Sequence, residues 1–273
     1  MDDDAPPDPA GALDFTGWGI LVTGGTRGVG AAVAAAFLAA GSDVVVCGRH
    51  EPEPEAVPAG RRPDGTVRRA EFVSADVREA DQARDLVDVA ARRLGRLDVL
   101  VNNAGGSPYA PSADASPRLF AGIISLNLLA PFFCAQAANA VMQDQDRGGS
   151  ILNIGSVSGL RPSPGTAAYG AAKAGLVNLT QTLAVEWAPK VRVNCLTGGL
   201  LDTGAGPEHY GGAEGMARVA ATVPLGRVGE PADLAGLCLL LASPLARYVS
   251  GANLVAHGGG EWPAFLRAAQ GTD

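Results

Sequence analysis

The sequence predicts one α/β domain, a doubly wound parallel sheet of about seven strands with helices on both faces. Three observations carry this. Short runs of valine, isoleucine and leucine such as "GILVT", "DVVVC" and "LDVLVN" lack polar alternation, which suits strands covered on both faces. Helical stretches lie between them, the alternation that builds a parallel sheet. No proline-rich linker separates two cores and no repeat interrupts the pattern, so one domain is expected.

The elements follow in order. Residues 1–14 read as a disordered acidic, proline-rich tail. "GILVTGG" is the first strand, and "GVGAAVAAAFLAAG" is an alanine-rich helix closed by Gly41. "DVVVCG" is the second strand and "EPEPEAVPAGRRPDG" a loop rich in proline and charge. "VRRAEFVSADV" reads as the third strand. "EADQARDLVDVAARRLG" is an amphipathic helix with Leu86, Val89, Ala90 and Leu94 on one side, and "LDVLVNNAG" is the fourth strand. Phe120 to Val141 carries no charge over twenty-two residues but contains Ser125, Asn127, Pro131, Gln136 and Asn139. It reads as a buried helix packed on both sides rather than a bilayer span.

"GSILNIGS" is the fifth strand, "GTAAYGAAKAGLVNLTQTLAVEWA" a long helix and "VRVNCLTGG" the sixth strand. Residues 204–225 are glycine-rich and read as a mobile substrate lid, in which His209, Tyr210 and Met216 are candidate contacts. "EPADLAGLCLLLAS" is a helix and "GANLVAHGGG" the last strand. The domain is expected over 15–260, with 261–273 a tail.

Composition narrows the function. The net charge is −7, but Asp2, Asp3, Asp4 and Asp8 supply four of the acids and leave about −3. That is too mild for a basic partner and the wrong sign for a nucleic-acid surface. Cys47, Cys134, Cys195 and Cys238 form no CxxC pair, and His50, His209 and His257 are scattered. No metal site is expected, and free thiols suit a reducing cytoplasm. The start, MDDDAPPDPA, is unlike a secretion signal.

Two motifs carry chemistry. "TGGTRGVG" places Gly24, Gly28 and Gly30 between the first strand and the first helix, where glycines let a phosphate approach the helix N-terminus. Asp76, after the third strand, is placed either to hydrogen-bond an adenine edge or to cap a helix. Tyr169 and Lys173 lie four apart in a helix that has no other positive charge before Lys190, and they are on one face. The chain has only these two lysines among its 21 basic residues. An ammonium beside a phenol, together with a cationic nicotinamide, is expected to lower the phenol's pKa.

These motifs in this order resemble the short-chain dehydrogenase/reductase family, in the subgroup similar to β-ketoacyl carrier-protein reductases. The likeness runs from about Gly17 to Gly260. It rests on "TGGTRGVG", "ADV" at 75–77, "NNAG" at 102–105, Asn127, "IGS" ending at Ser156, and "YGAAK". The resemblance implies a Rossmann-type fold and a set of roles. Ser156 would hold the substrate carbonyl, Tyr169 would be the general acid or base, and Lys173 would bind the nicotinamide ribose. Asn127 would hold a water that relays protons to Lys173. Gly24, Thr26, Arg27, Gly28, Val29, Gly30, Arg49, Asp76 and Val77 would line the cofactor on one side. Asn103, Ala104, Gly105, Gly199, Leu201 and Thr203 would line it on the other. Ser107, Pro108 and Tyr109 are candidates for a substrate wall.

Two departures stand out. Gly198-Gly199 replaces the usual Pro-Gly, which puts the nicotinamide-side loop geometry in question. Gly155 stands where serine is frequent, a change expected to be nearly silent. The second strand ends in Gly48-Arg49 without an acid, and Arg27 lies in the glycine turn. That pattern favours NADP(H) over NAD(H). The expected activity is therefore NADP(H)-dependent interconversion of a ketone and a secondary alcohol, on a 3-oxoacyl thioester or related small molecule. The alternatives are an NAD-dependent steroid or sugar dehydrogenase, and a nucleotide sensor without turnover. The resemblance implies a homo-oligomer, a tetramer or dimer, because in the family the helices equivalent to 120–141 and 167–188 pack against a second subunit, and here they are apolar. No membrane partner is expected.

Overall fold

The structure, a computed structural model, describes residues 11–204 and 211–271. Its strands are β1 (Gly19–Thr23), β2 (Asp43–Gly48), β3 (Ala59–Arg61), β4 (Val67–Arg69), β5 (Glu71–Ser74), β6 (Val99–Asn102), β7 (Gly149–Ser156), β8 (Val191–Gly198) and β9 (Asn253–Ala256). Seven of them form one sheet in the order β5-β2-β1-β6-β7-β8-β9, and every neighbouring pair is parallel. The order reverses between β1 and β6. In such sheets the crevice beyond the C-terminal strand ends at that point receives the ligand.

The helices are α1 (Gly28–Ala39), α2 (Ala80–Leu94), α3 (Pro117–Ile124), α4 (Ala130–Asp144), α5 (Ala167–Glu186), α6 (Gly212–Ala220), α7 (Pro231–Ala242) and α8 (Ala264–Gln270). Alternate residues of each strand feed two cores. Ile20, Val22, Leu152 and Leu196 pack with Phe37 of α1 and Leu241 of α7. Leu21, Leu100 and Ile151 pack with Leu86 of α2 and Ala138 of α4. Burial on both faces explains why the strands read as unbroken apolar runs.

Three expectations need correction. The third strand is not continuous: β4 pairs antiparallel with β3 as a hairpin, and only β5 joins the sheet. The turn is made by Asp64, whose Oδ1 accepts from Thr66 N at 2.8 Å and Thr66 Oγ1 at 2.7 Å, and by Gly65 at φ 86°. The N-terminal boundary also moves, because Ala12 is already buried and Asp14 N donates to the Gly11 carbonyl.

The uncharged segment, finally, is not one helix buried on both sides. It runs as α3, a π-helical turn at Ser125–Leu129, and α4. α4 packs on α2 and the sheet, while Phe120 and Leu129 are 41% and 42% exposed. By length and composition Pro117–Asp144 is apolar enough to cross a membrane, with 33% of its most apolar stretch buried. In the fold its interruption holds the buried Asn127.

Candidate active site

The turn from β1 to α1 is locked from behind. Asn103 Nδ2 donates to the carbonyls of Thr23 and Gly24, both at 3.0 Å. Thr23 Oγ1 accepts from the N–H groups of Asn103 and Ala104, each at 3.0 Å. Gly24 and Gly28 take φ of 61° and 54°, which L side chains avoid. A Cβ on Gly30 would sit 2.4 Å from both Asn103 Nδ2 and the Gly24 carbonyl oxygen. α1 begins at Gly28 without a side-chain cap, so its first N–H groups are open to an anion. Thr26 is partly buried and Arg27 exposed at the mouth, while Val29 is buried beneath. Thr203 Cβ lies 3.6 Å from the place a Gly28 Cβ would occupy, which brings the loop after β8 over the turn. Thr23 is missing from the sequence reading; a threonine closing an apolar strand just before the glycines was the available signal.

At the far end, Gly48 closes β2 and Arg49 is exposed. Asp76 is gripped by Arg78, whose Nε donates to Oδ1 at 2.9 Å and Oδ2 at 3.1 Å while Nη2 also binds Oδ2. These bonds hold the Asp76 carboxyl below its ordinary pKa. Glu79, not Asp76, stands at the N-cap of α2, so the capping alternative for Asp76 falls. Val77 is buried in the core beside it. Arg78 adds a guanidinium to this end that sequence reasoning passed over, although Asp-x-Arg places the two groups side by side.

At the centre, Ser156 ends β7, and Tyr169 and Lys173 project from α5. The Ser156 hydroxyl lies near enough to the Tyr169 phenol to act on its titration, and it accepts from Ser158 N at 3.2 Å. Burial raises the phenol's pKa, and the Ser156 contact pulls it the other way. Lys173 is 3% exposed. Its Nζ donates to the Ile154 carbonyl at 2.7 Å and lies 5.6 Å from the Tyr169 ring centroid. Burial pushes this ammonium down to about 8, opposed by Cys195. At this phenol burial outweighs the Ser156 effect, and the Lys173 ammonium is held by the Ile154 carbonyl rather than by the phenol oxygen.

Asn127 is fully buried in the π-helical turn. Its Nδ2 donates to the carbonyls of Gly106 (2.8 Å) and Ile123 (2.9 Å), and its Oδ1 accepts from Gly106 N at 2.9 Å. One Oδ1 lone pair is left over. A Cβ on Gly105 would fall 2.8 Å from Asn127 Oδ1 and 3.4 Å from Lys173 Nζ, so both groups converge on the "NNAG" loop. Such single π turns accompany functional sites in helices. Gly106 was not singled out in the sequence, though a further glycine after "NNAG" marked it.

The departures are compensated. A Cβ on Gly198 would lie 3.0 Å from Leu234 Cδ2 and 3.2 Å from Leu201 Cδ1: two leucines fill the space a proline ring would take. Gly199 N donates to the Ala256 carbonyl at 2.9 Å. Gly155 is not silent here, because a Cβ would meet Thr197 Oγ1 at 2.6 Å and Cys195 Sγ at 2.8 Å. On the substrate side, Ser107, Pro108, Phe120, Ile123 and Ala168 line a narrow crevice, and Tyr109 is 66% exposed. The expected lid contains α6, with Met216 partly buried; His209 and Tyr210 lie outside the described residues. The C-terminal segment is held by an Arg161–Glu261 ion pair at 2.5 Å and by Trp262 N donating to the Thr222 carbonyl at 3.0 Å.

Comparison with known proteins decides the family. The family described as enoyl-(acyl carrier protein) reductase matches residues 24–261. The chain belongs to the short-chain dehydrogenase/reductase family. An L-rhamnose 1-dehydrogenase (NAD(P)(+)) of Azotobacter vinelandii is 37% identical, over 88% of this chain and 95% of that one. A 3beta-hydroxysteroid dehydrogenase 1 of Eggerthella lenta is 36% identical, over 90% and 94%. The crystal structure of a short-chain type dehydrogenase/reductase from Mycobacterium marinum superposes with a TM-score of 0.83 at 33% identity, covering 93% of this chain and 99% of that one. This short-chain dehydrogenase/reductase is thus an oxidoreductase acting on alcohol or carbonyl groups, in a family that uses NAD(P)(H). The uncapped α1 N-terminus and the cradle that a Gly30 side chain would fill fit the pyrophosphate of such a dinucleotide.

Proposed function

We propose that the protein is an NADP(H)-dependent reductase or dehydrogenase interconverting a ketone and a secondary alcohol, with a 3-oxoacyl thioester or related carbonyl compound as substrate. The observation that carries the chemistry is the convergence of Tyr169 with the buried Lys173. The Lys173 Nζ lies 5.6 Å from the Tyr169 ring centroid and binds the Ile154 carbonyl, two residues before Ser156 on β7. The Ser156 hydroxyl positions the substrate carbonyl. Tyr169 gives its proton to the developing alkoxide, or takes one from the alcohol. Lys173 and Asn127 form the buried polar path behind it. The nicotinamide, when bound, supplies or receives the hydride. Gly24, Thr26, Gly28 and Gly30 would hold the pyrophosphate, and Asn103, Ala104, Gly105, Gly199, Leu201 and Thr203 would face the nicotinamide half.

NADP is favoured because β2 ends without a carboxylate and the adenosine end carries Arg27, Arg49 and Arg78. Paired guanidinium hydrogen bonds suit a 2′-phosphate, and Arg78 keeps Asp76 neutralised. The rhamnose relative, an NAD(P)(+) dehydrogenase, keeps the NAD-dependent sugar or steroid reading as the second one. Paired fluorescence titrations with NADPH and NADH test this. Binding at least tenfold tighter for NADPH, about 1.4 kcal/mol, is expected; tighter NADH would overturn the NADP reading.

We also propose that the segment 120–141 and α5 meet a second copy of the chain, as exposed Leu129 (42%) and Val185 (80%) suggest. Light scattering should give the mass of a dimer or tetramer, and a monomer's mass would refute it. A cytoplasmic location suits the four unpaired buried thiols.

A further inference from the structure

The sheet has a second opening, at the edge opposite the glycine turn. There, beneath the N-terminal ends of β1, β6, β7 and β8, a cleft of about 140 Å³ is lined by Trp18, Arg147, Ser150, Arg192 and Arg247. β7 separates Ser150 from Ser156 by roughly 20 Å of extended chain, so this cleft is remote from the hydroxyls of the catalytic edge.

Its charge is unbalanced. Among the described residues neither Arg147 nor Arg192 forms an ion pair. The Arg147 guanidinium lies over the Trp18 ring, 5.2 Å from its centroid, which orients the charge without cancelling it. Arg192 donates to the carbonyls of Val249 and Ala242, each at 3.1 Å. Carbonyls satisfy its donors but leave its charge, and burial pushes its pKa down to about 10. The lining carboxylate, Asp98, is already committed to Arg96 by two bonds of 2.6 Å and to Gly19 N at 2.9 Å. Ser150, paired in register with Arg192 across β7 and β8, is 2% exposed, and its hydroxyl has no hydrogen-bond partner. An orphaned buried hydroxyl is costly.

We propose that this cleft binds a small oxyanion, a phosphate or carboxylate group. Guanidinium forks match the geometry of such groups, and the Ser150 hydroxyl is an available donor. The volume is too small for a nucleotide, whose sites run to several hundred Å³. The oxyanion has two sources: free phosphate in solution, or the chain's own Asp2, Asp3, Asp4 and Asp8 carboxylates.

Inorganic phosphate titrated against the full-length protein tests this, with melting temperature as the readout and chloride adjusted to hold ionic strength constant. A saturable rise is expected, with a midpoint of about a millimolar or tighter. Arg147→Gln combined with Arg247→Gln should shift that midpoint tenfold or more; both side chains are exposed, and circular dichroism checks the fold. Arg27→Gln should leave it in place, which separates the cleft from the glycine turn. A variant with Asp2, Asp3, Asp4 and Asp8 all changed to Asn assigns the source. Tighter phosphate binding in it means that the chain's own carboxylates occupy the cleft, and unchanged binding means that the anion comes from solution. No rise in either the parent or the four-Asn variant overturns the proposal, as does a rise abolished by Arg27→Gln but untouched by the Arg147/Arg247 pair.

Discussion

The two halves of the catalytic crevice are held by different kinds of contact. On the β1 side, one asparagine and one threonine, Asn103 and Thr23, make four hydrogen bonds of 3.0 Å to backbone atoms of the glycine turn and the "NNAG" loop. On the β8 side, an exposed ion pair and single backbone bonds hold the C-terminal segment, amid glycines of positive φ at 204, 211, 212, 226, 258, 259 and 260. The first half is a rigid mould for a constant group. The second is built to be re-cut, because surface ion pairs add little stability and glycine-rich backbone is easily rearranged. In the proposed function the pyrophosphate lies on the first half, while the substrate and the nicotinamide that Gly199 and Thr203 would face lie on the second.

The comparison can be broken at its centre, where the two halves meet. Tyr169→Phe removes the proposed proton donor without touching the glycine turn. Turnover should fall by about 10²–10⁴ while cofactor affinity, measured by the same fluorescence titration, stays within about twofold. Loss of both together would mean that Tyr169 serves the mould rather than the chemistry.

A smaller effect sharpens the rigid half. Gly30→Ala drives a Cβ into a backbone oxygen, so it should cost about 1–3 kcal/mol in denaturant unfolding and weaken cofactor binding. Gly260→Ala, in the looser half, meets only the end of the His257 ring at 3.4 Å and should leave cofactor binding unchanged despite its strained φ.

The smallest effect is read from pH. Lys173 titrates near 8 when folded against an ordinary value of 10.5. Between those values the unfolded chain holds more protons, so this group makes stability rise with pH across that window. The unfolding free energy of the parent minus that of Lys173→Met should therefore grow by about 1–3 kcal/mol from pH 7 to pH 10. The raised pKa values of Cys47, Cys134 and Cys238 act in the opposite sense but are common to both proteins and cancel, whereas the Lys173–Cys195 coupling is part of the difference measured. A flat difference would place the ammonium in contact with water.

What the sequence made legible follows the same division. Burial on both faces writes itself into β1, β2 and β6 as apolar runs, and positive φ writes itself into Gly24 and Gly28 as glycine. Ser156, Tyr169 and Lys173 were readable because the helix period fixes the last two and a family likeness supplied the first. Arg78 and Gly106 left only short local marks, Asp-x-Arg and a glycine after "NNAG", because they meet Asp76 and Asn127 through loop geometry that no period encodes. The β3–β4 hairpin was misread for a local reason. Pro-Asp-Gly at 63–65 is turn chemistry, but the charge around it suggested an unpaired loop. Helix α6 was hidden by Gly212 and Gly215, which lower helix propensity; Gly215 is buried in the structure.

Three of the four cysteines carry a consequence of another kind. Cys47 and Cys134 lie in the layer beneath α2 and α4, and Cys238 lies in the layer beneath α7. Burial raises the pKa of all three, Cys47 to about 11 and Cys238 to about 12. Thiolate, the form that reacts with alkylating reagents, is therefore scarce in the native chain. Labelling must wait for a layer to lift. The order in which an alkylating reagent marks Cys238 against Cys47 and Cys134 thus records which side of the sheet opens first, with no probe added to the protein.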